Sequence, residues 1–196
     1  MTEPRIVTVE RATSETEIRL TLNLDGSGQV ALQTGIGFLD HMLTALARHG
    51  RLDLDLQVTG DLDVDDHHTV EDTGLALGSA IDQALSDRRG IERFAHAYAP
   101  LDEALARVVV DLSGRPFARV DIPFVREVIG DVATENLTHF FQSLAMTGRM
   151  ALHVDVLHGD NDHHKAEAAF KALAIALRRA VARTGSAEIP STKGSL

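Results

Sequence analysis

The chain of 196 residues contains no cysteine, so it can form neither a disulfide nor a thiolate metal site. It also lacks any apolar run approaching the ~20 residues that a membrane-spanning helix needs. Its opening, MTEPRIVTVE, carries charge and a strand-like pattern but no apolar stretch resembling a secretory signal. Positive charge is the scarcer sign: 19 Lys and Arg against 29 Asp and Glu give a formal net charge of −10. That balance argues against nucleic acid or an anionic membrane as the main partner. An anionic small molecule would have to be held by a local basic cluster working against the global field. The residue set fits a reducing compartment, and a cytoplasmic location is expected. The length suffices for one large domain or two small ones with a hydrophobic core.

What is present is a sequence written twice. The first half reads LTLNLDGSG, FLDHMLTALARHG and then LDLDLQVTGDLDVDDHHTVEDTGLALGSAIDQAL. The second reads VVVDLSGRP, LTHFFQSLAMTG and then MALHVDVLHGDNDHHKAEAAFKALAIALRRAV. Each half offers a strand with an Asp and a glycine turn, a short helix with one histidine, another strand, and then Asp-His-His opening a helix. The division expected is residues 1–90 and 91–196, each half with its own His-His-x-x-Glu motif, in a single compact unit.

Strands are read from alternation. Ile18, Leu20, Leu22 and Leu24 alternate with polar residues, as do Leu52, Leu54, Leu56 and Val58, and more loosely Val154 and Val156. One polar face per strand implies sheets covered on one side. Helical periodicity follows each His pair, with Asp66 and Asp162 at expected N-cap positions and Gly90 as an expected helix stop. The fold class expected is α/β in the α+β two-layer sense. It is internally duplicated, each half holding a mainly antiparallel four-stranded sheet with two helices on one face. The tail from Thr184 reads as loop.

The histidines carry the chemistry. On a helix, i and i+4 share a face, so His67 with Glu71 and His163 with Glu167 can each grip one ion. Adjacent histidines diverge by ~100°, so His68 and His164 point elsewhere and can serve a second ion. His41 and His139 add one imidazole from each short helix. Six imidazoles and two carboxylates without sulfur suit Mn²⁺, Fe²⁺, Co²⁺ or Zn²⁺, and favour octahedral sites. A single histidine at a helix start is ordinarily a capping or solvated group, but two motif copies at matched positions favour ligands. His49, His96, His153 and His158 lack ligand spacing and read as surface or packing residues.

FLDHML, DDHHTVEDTGLALG, PLDEAL, DLSGRP, HFFQSL, HHKAEAAFKALA and IPSTKG together resemble the imidazoleglycerol-phosphate dehydratase family, in the family's order over nearly the whole chain. The resemblance implies conversion of imidazoleglycerol phosphate to imidazoleacetol phosphate and water in histidine biosynthesis. It implies two Mn²⁺ ions per site and a 24-subunit homo-oligomer whose sites lie between subunits. The form here looks monofunctional, without the phosphatase domain that some bacteria fuse ahead of it. Carried over by motif, His41, His67, His68, Glu71, His139, His163, His164 and Glu167 become metal ligands. Arg93, Arg115, Lys171, Ser191 and Lys193 become the phosphate cluster. Glu15 in TSETEI matches a catalytic glutamate, with Glu17 the local alternative and Glu167 a second catalytic carboxylate. The implied mechanism runs through a dimetal-bound imidazolate and a diazafulvene-like intermediate that acidifies the neighbouring C–H.

Pseudo-symmetry alone predicts one ion held by His41, His67 and Glu71 with His164. The other ion then takes His139, His163 and Glu167 with His68; the alternative exchanges the members of each His pair. Two rival functions are a dinuclear metallohydrolase, for which bridging carboxylates are scarce, and a metal-storage or metal-sensing shell. The storage shell leaves Arg93, Arg115, Lys171 and Lys193 without a role.

Overall fold

The computed structural model describes residues 4–194 and 196, so Met1 to Glu3 of the opening segment and Ser195 lie outside it. Alternation is realised first in β2, Thr16–Asn23, where Ile18, Leu20 and Leu22 are at most 1% exposed while Glu17 and Arg19 face solvent. The preceding strand β1, Ile6–Ala12, and the later β4, Asp53–Gly60, both pair with β2 in antiparallel register. The short β3, Val30–Gln33, runs parallel to β4 at the far edge. The sheet order is therefore β1-β2-β4-β3, and helices α1, Gly37–Gly50, and α2, His67–Leu85, come from the same half.

The second half repeats this plan. Strands β5, Phe94–Leu101, β6, Ala104–Asp111, and β7, Phe117–Asp121, are followed by a two-residue hairpin, β8 at Val128–Ile129 and β9 at Val132–Ala133. Helix α3, Thr134–Thr147, strand β10, Ala151–His158, and helix α4, Asp162–Ala180, complete it. The sheet order β5-β6-β10-β7, with β7 parallel to β10 and the other pairings antiparallel, is the order of the first sheet. The expected α+β architecture, mainly antiparallel four-stranded sheets with two helices on one face of each, is what the chain adopts.

The helices of each half cover their own sheet, and then the halves meet helix to helix. α2 lies on β1 and β2 and against α3, while α4 lies on β5 and β6 and against α1. The layers run sheet, helix pair, helix pair, sheet. Phe140 and Phe141 of α3 meet Phe170 of α4, with ring centroids 5.3 and 4.8 Å apart and all three side chains fully buried. Each such burial stabilises by roughly 1.5–3 kcal/mol relative to exposure.

Asp66 holds the expected N-cap position of α2, but with helical backbone angles (φ −86°, ψ −9°) and without a capping bond from its side chain; its carboxylate accepts the Ala133 N–H at 2.9 Å, and Asp65 accepts the His67 N–H at 2.8 Å. Two other local expectations change. Asp162 lies one residue inside α4, where Asn161 is the cap, accepting the His163 N–H at 2.9 Å. Buried at 2% exposure, the Asp162 carboxylate accepts the Val125 and Arg126 N–H groups and the Lys165 ammonium. Gly90 does not stop α2, which ends at Leu85; at φ +61° it receives the tail through bonds with Glu188 and Thr184. A side chain there would meet the Ser186 carbonyl.

Candidate metal centres

Helix crossing decides which histidines meet. Because α1 packs on α4, His41 reaches the second half, and its Nε2 lies 3.1 Å from Glu167 Oε2. His163, one turn before Glu167, brings its own Nε2 to 3.2 Å from the same oxygen. Phe38 sits edge-on to both imidazoles, 6.3 and 5.2 Å between centroids, walling one side of the group. Where α2 packs on α3, His139 Nε2 lies 3.2 Å from Glu71 Oε1 and His67 Nε2 lies 3.6 Å from Glu71 Oε2. These two rings stack at 5.1 Å.

Among the described residues, the trios His41–His163–Glu167 and His67–Glu71–His139 each keep their ligand atoms within 4.8 Å of one another. Bonds of ~2.1 Å at right angles to one ion would separate neighbouring ligands by ~3 Å, so the spacing suits a divalent cation. The nitrogen and carboxylate donors, with no thiolate, point to the same ions.

The i, i+4 pairing is as the sequence predicts. The grouping is not: each short-helix histidine joins the opposite half rather than its own. The reason is the layering, which sets α1 and α3 against the long helices of the other half.

His68 and His164 diverge from their neighbours and belong to neither trio. His68 Nδ1 lies 3.0 Å from Asp61 Oδ2, while its Nε2 is 3.6 Å from Glu15 Oε1. His164 Nδ1 lies 2.7 Å from Glu103 Oε2, while its Nε2 is 4.0 Å from Asp102. Sequence reasoning singled out neither Asp61 nor Glu103, and it passed over Asn136, whose Oδ1 holds His67 Nδ1 at 2.9 Å. PLDEAL marked Glu103 only as part of a motif; nothing in its local pattern says that it folds onto His164.

Charge is tuned locally. Burial pushes the Glu167 carboxyl up, but Lys171, at 2.6 Å, with His41 and His163 outweighs it and holds the group at about 2. Asp61 raises His68, and Glu103 raises His164. Glu103 itself is held at about 2 by the Asn161 N–H and then by His164. Glu15 lies in the β1–β2 turn and is half exposed, whereas Glu17 is on β2 itself, paired with Ala12 and Thr59.

The basic residues divide. Arg93 forks Asp111 at 2.8 and 3.2 Å and donates to the Pro190 carbonyl at 2.7 Å, beside Ser191 and Lys193 of the tail. Arg115 is exposed in the bend before β7. The Arg93 backbone N–H donates to Ala180 at the C-terminal end of α4, whereas Glu167 and Lys171 belong to its first half. Thirteen residues of helix separate Glu167 from Ala180, roughly 20 Å at 1.5 Å per residue. Within one chain, Arg93 and the trio of Glu167 therefore stand too far apart for one small substrate.

Residues 34–177 match the family model described as imidazoleglycerol-phosphate dehydratase. A protein of that name from Roseiflexus is 57% identical over 98% of this chain and 98% of its own length. Another from Phytophthora nicotianae is 54% identical over 98% of this chain, which there spans 42% of a longer protein. The crystal structure of imidazoleglycerol-phosphate dehydratase from Pyrococcus furiosus superposes with a TM-score of 0.83 at 37% identity, covering 96% of this chain and 100% of that one.

Proposed function

We infer the site's working from one premise: the chain belongs to the imidazoleglycerol-phosphate dehydratase family and is a hydro-lyase of histidine biosynthesis. The observation that carries the reading is the pair of three-ligand groups, each drawn from both halves of the chain. The proposed substrate is imidazoleglycerol phosphate, and the products are imidazoleacetol phosphate and water.

Two divalent cations, Mn²⁺ being the ion proposed, would bind the two nitrogens of the substrate ring and supply the Lewis acidity that favours loss of the neighbouring hydroxyl. His41, His163 and Glu167 would hold one ion, and His67, His139 and Glu71 the other, with His68 and His164 completing the sets. Arg93, Arg115, Ser191 and Lys193 would bind the phosphate, and Lys171 would support that end from beside Glu167. Glu15, half exposed and 3.6 Å from His68 Nε2, would take the proton from the carbon that keeps its hydroxyl. The hydroxyl leaves from the adjacent carbon, and the enol that remains tautomerises to the ketone.

The distance along α4 favours a site shared between copies, with Arg93 of one chain facing the trio of another. A homo-oligomer is therefore part of this proposal, 24 subunits being the state expected from the resemblance. The division at residue 90 into two metal-bearing halves, a cytoplasmic location and the absence of nucleic-acid or membrane partners belong to it too. No helix among the described residues is long and apolar enough to cross a membrane.

The assay combines the protein, Mn²⁺ and imidazoleglycerol phosphate and follows the ketone; no product in metal-replete protein sinks the reading. Sedimentation with and without chelator tests assembly, and an identical mass in both conditions separates metal from oligomer.

A further inference from the structure

His68 and His164 are the two histidines of the His-His-x-x-Glu motifs that the trios leave out, and both are gripped at Nδ1 by a carboxylate. The grips come from different places, and the strand registers locate them. Leu22 pairs with Leu54 in the first sheet as Val110 pairs with Leu152 in the second, so Thr16 of β2 corresponds to Ala104 of β6. Glu15, just before Thr16, therefore corresponds to Glu103, just before Ala104.

At the ends of β4 and β10 the correspondence is fixed by packing. A Cβ on Gly60 would meet Thr16 and Thr69; a Cβ on Gly159 would meet Ala104 and Lys165, the matching pair of residues. Asp61, just after Gly60, therefore corresponds to Asp160, just after Gly159. Both halves keep the same two carboxylate positions, one glutamate and one aspartate, at the matching ends of their strands.

Their use is exchanged. In the first half Asp61 takes His68 Nδ1, and the Glu15 side chain faces Nε2 across 3.6 Å; its backbone carbonyl accepts the Asp61 N–H at 3.1 Å. In the second half Glu103 takes His164 Nδ1, and its other oxygen accepts the N–H groups of Asp160 and Asn161 at 3.1 and 2.8 Å. A bulge in β10 between Val156 and His158 adds a residue before that loop, which brings the amides of Asp160 and Asn161 over Glu103.

A carboxylate on Nδ1 fixes the ring orientation and places the proton on that nitrogen, leaving the Nε2 lone pair for a cation. We propose that Asp61 and Glu103 are the positioning residues for His68 and His164, and that the aspartate grip in the first half is what keeps the Glu15 carboxylate off His68 Nδ1. This rests on the reading of His68 and His164 as ligands. Glu15 and Glu103 are thus one ancestral position with two jobs.

The test is a calorimetric titration of the assembled protein with Mn²⁺ alone, accompanied by melting curves in chelator to register folding. Asp61→Ala and Glu103→Ala should each weaken Mn²⁺ binding by about 10–100-fold, the usual effect of removing the partner of a ligating histidine. Asp160→Ala, the counterpart of Asp61→Ala in the second half, should bind Mn²⁺ as the unaltered protein does. Asp61→Asn, which keeps an acceptor for Nδ1 but no charge, should fall between the unaltered protein and Asp61→Ala. If Asp160→Ala costs as much as Asp61→Ala, or if Asp61→Ala binds Mn²⁺ normally, the proposal is overturned. His68→Ala separates the two levels: normal Mn²⁺ binding in that variant defeats the ligand reading instead. Should Glu103→Ala melt lower in chelator, Glu103→Gln preserves the acceptor for the loop amides and should still lose affinity through its lost charge.

Discussion

His41 and Glu167, 126 residues apart and from different halves of the chain, approach to 3.1 Å between Nε2 and Oε2. Neither half contains a complete trio, because the short helix of each half lies against the long helix of the other. The duplication therefore supplies ligands in complementary sets, and the helix interface between the halves assembles them.

That interface predicts a pattern of coupling. His41→Ala and His163→Ala remove ligands from one group, so the double variant should lose much less Mn²⁺ affinity than the sum of the singles. His41→Ala with His139→Ala strikes both groups, and those losses should add. Residues sharing one site couple while independent ones do not. Titration calorimetry on the unaltered protein, the three single and the two double variants decides it; additive losses for His41 and His163 would break up the first trio.

The tail makes a second prediction. Arg93 holds the Pro190 carbonyl at 2.7 Å, which brings Ser191 and Lys193 beside a guanidinium already engaged with Asp111. Ending the chain after Pro190 should raise the Michaelis constant about 10-fold or more, since hydrogen bonds to charged groups contribute roughly 1.5–3 kcal/mol. The metal content should not change. Steady-state kinetics with metal analysis checks both, and an unaltered Michaelis constant removes the tail from phosphate binding.

Acid stability gives a third. Arg5 grips Asp25 through both oxygens and, with Arg183, holds its carboxyl at about 2 against an ordinary 3.8. A carboxyl depressed by folding stabilises the native state above its unfolded value, and the contribution disappears as pH falls from ~4 through ~2. The Arg5→Ala variant should be less stable than the unaltered protein by about 1–2 kcal/mol at pH 6, with the gap closing below pH 3. Denaturant titrations at a series of pH values would expose a pH-independent gap, which would assign the loss to the Arg5 bond with the Val181 carbonyl instead.

Much of this architecture was legible in the residues. Ile18, Leu20, Leu22, Leu54 and Leu56 announce their strands because a one-sided sheet forces period-two burial. His67 with Glu71 and His163 with Glu167 announce shared helix faces because i, i+4 geometry is local. Partners set by tertiary packing were not legible. His41 could be assigned to its own half or the other only by knowing that α1 crosses α4. Asp162 looked like a cap because its neighbours at a helix start look alike; its actual partners, Val125 and Arg126, come from a strap 36 residues away. Asp61 and Glu103 carried no signal at ligand spacing, since they act on histidines through loops.

The last prediction concerns the glycines that let the halves meet. On α2, Gly74 and Gly78 face α3: a Cβ on Gly74 would lie 2.9 Å from the Phe140 carbonyl oxygen and 3.1 Å from Ser143 Cβ. On Gly78 it would strike the Leu144 carbonyl oxygen at 2.5 Å, and the Thr147 hydroxyl besides. Backbone cannot retreat as a flexible side chain can, so α2 and α3 would have to separate. Helix propensity favours alanine over glycine by ~1 kcal/mol, and overpacking a close interface costs about 1–3 kcal/mol, so the sign depends on which effect dominates. The contacts at Gly78 are the tighter ones and involve backbone on the partner helix; there overpacking wins. Gly78→Ala should lower the melting temperature, by roughly 2–4 °C per kcal/mol lost in a chain of this size. Gly74→Ala should lower it less. Because His67 and Glu71 ride on α2 and His139 on α3, Gly78→Ala should also weaken the Mn²⁺ bound by that trio. The His41–His163–Glu167 group, built on α1 and α4, should be spared. A Gly78→Ala protein that melts higher and keeps both affinities would mean that α2 and α3 have room to spare.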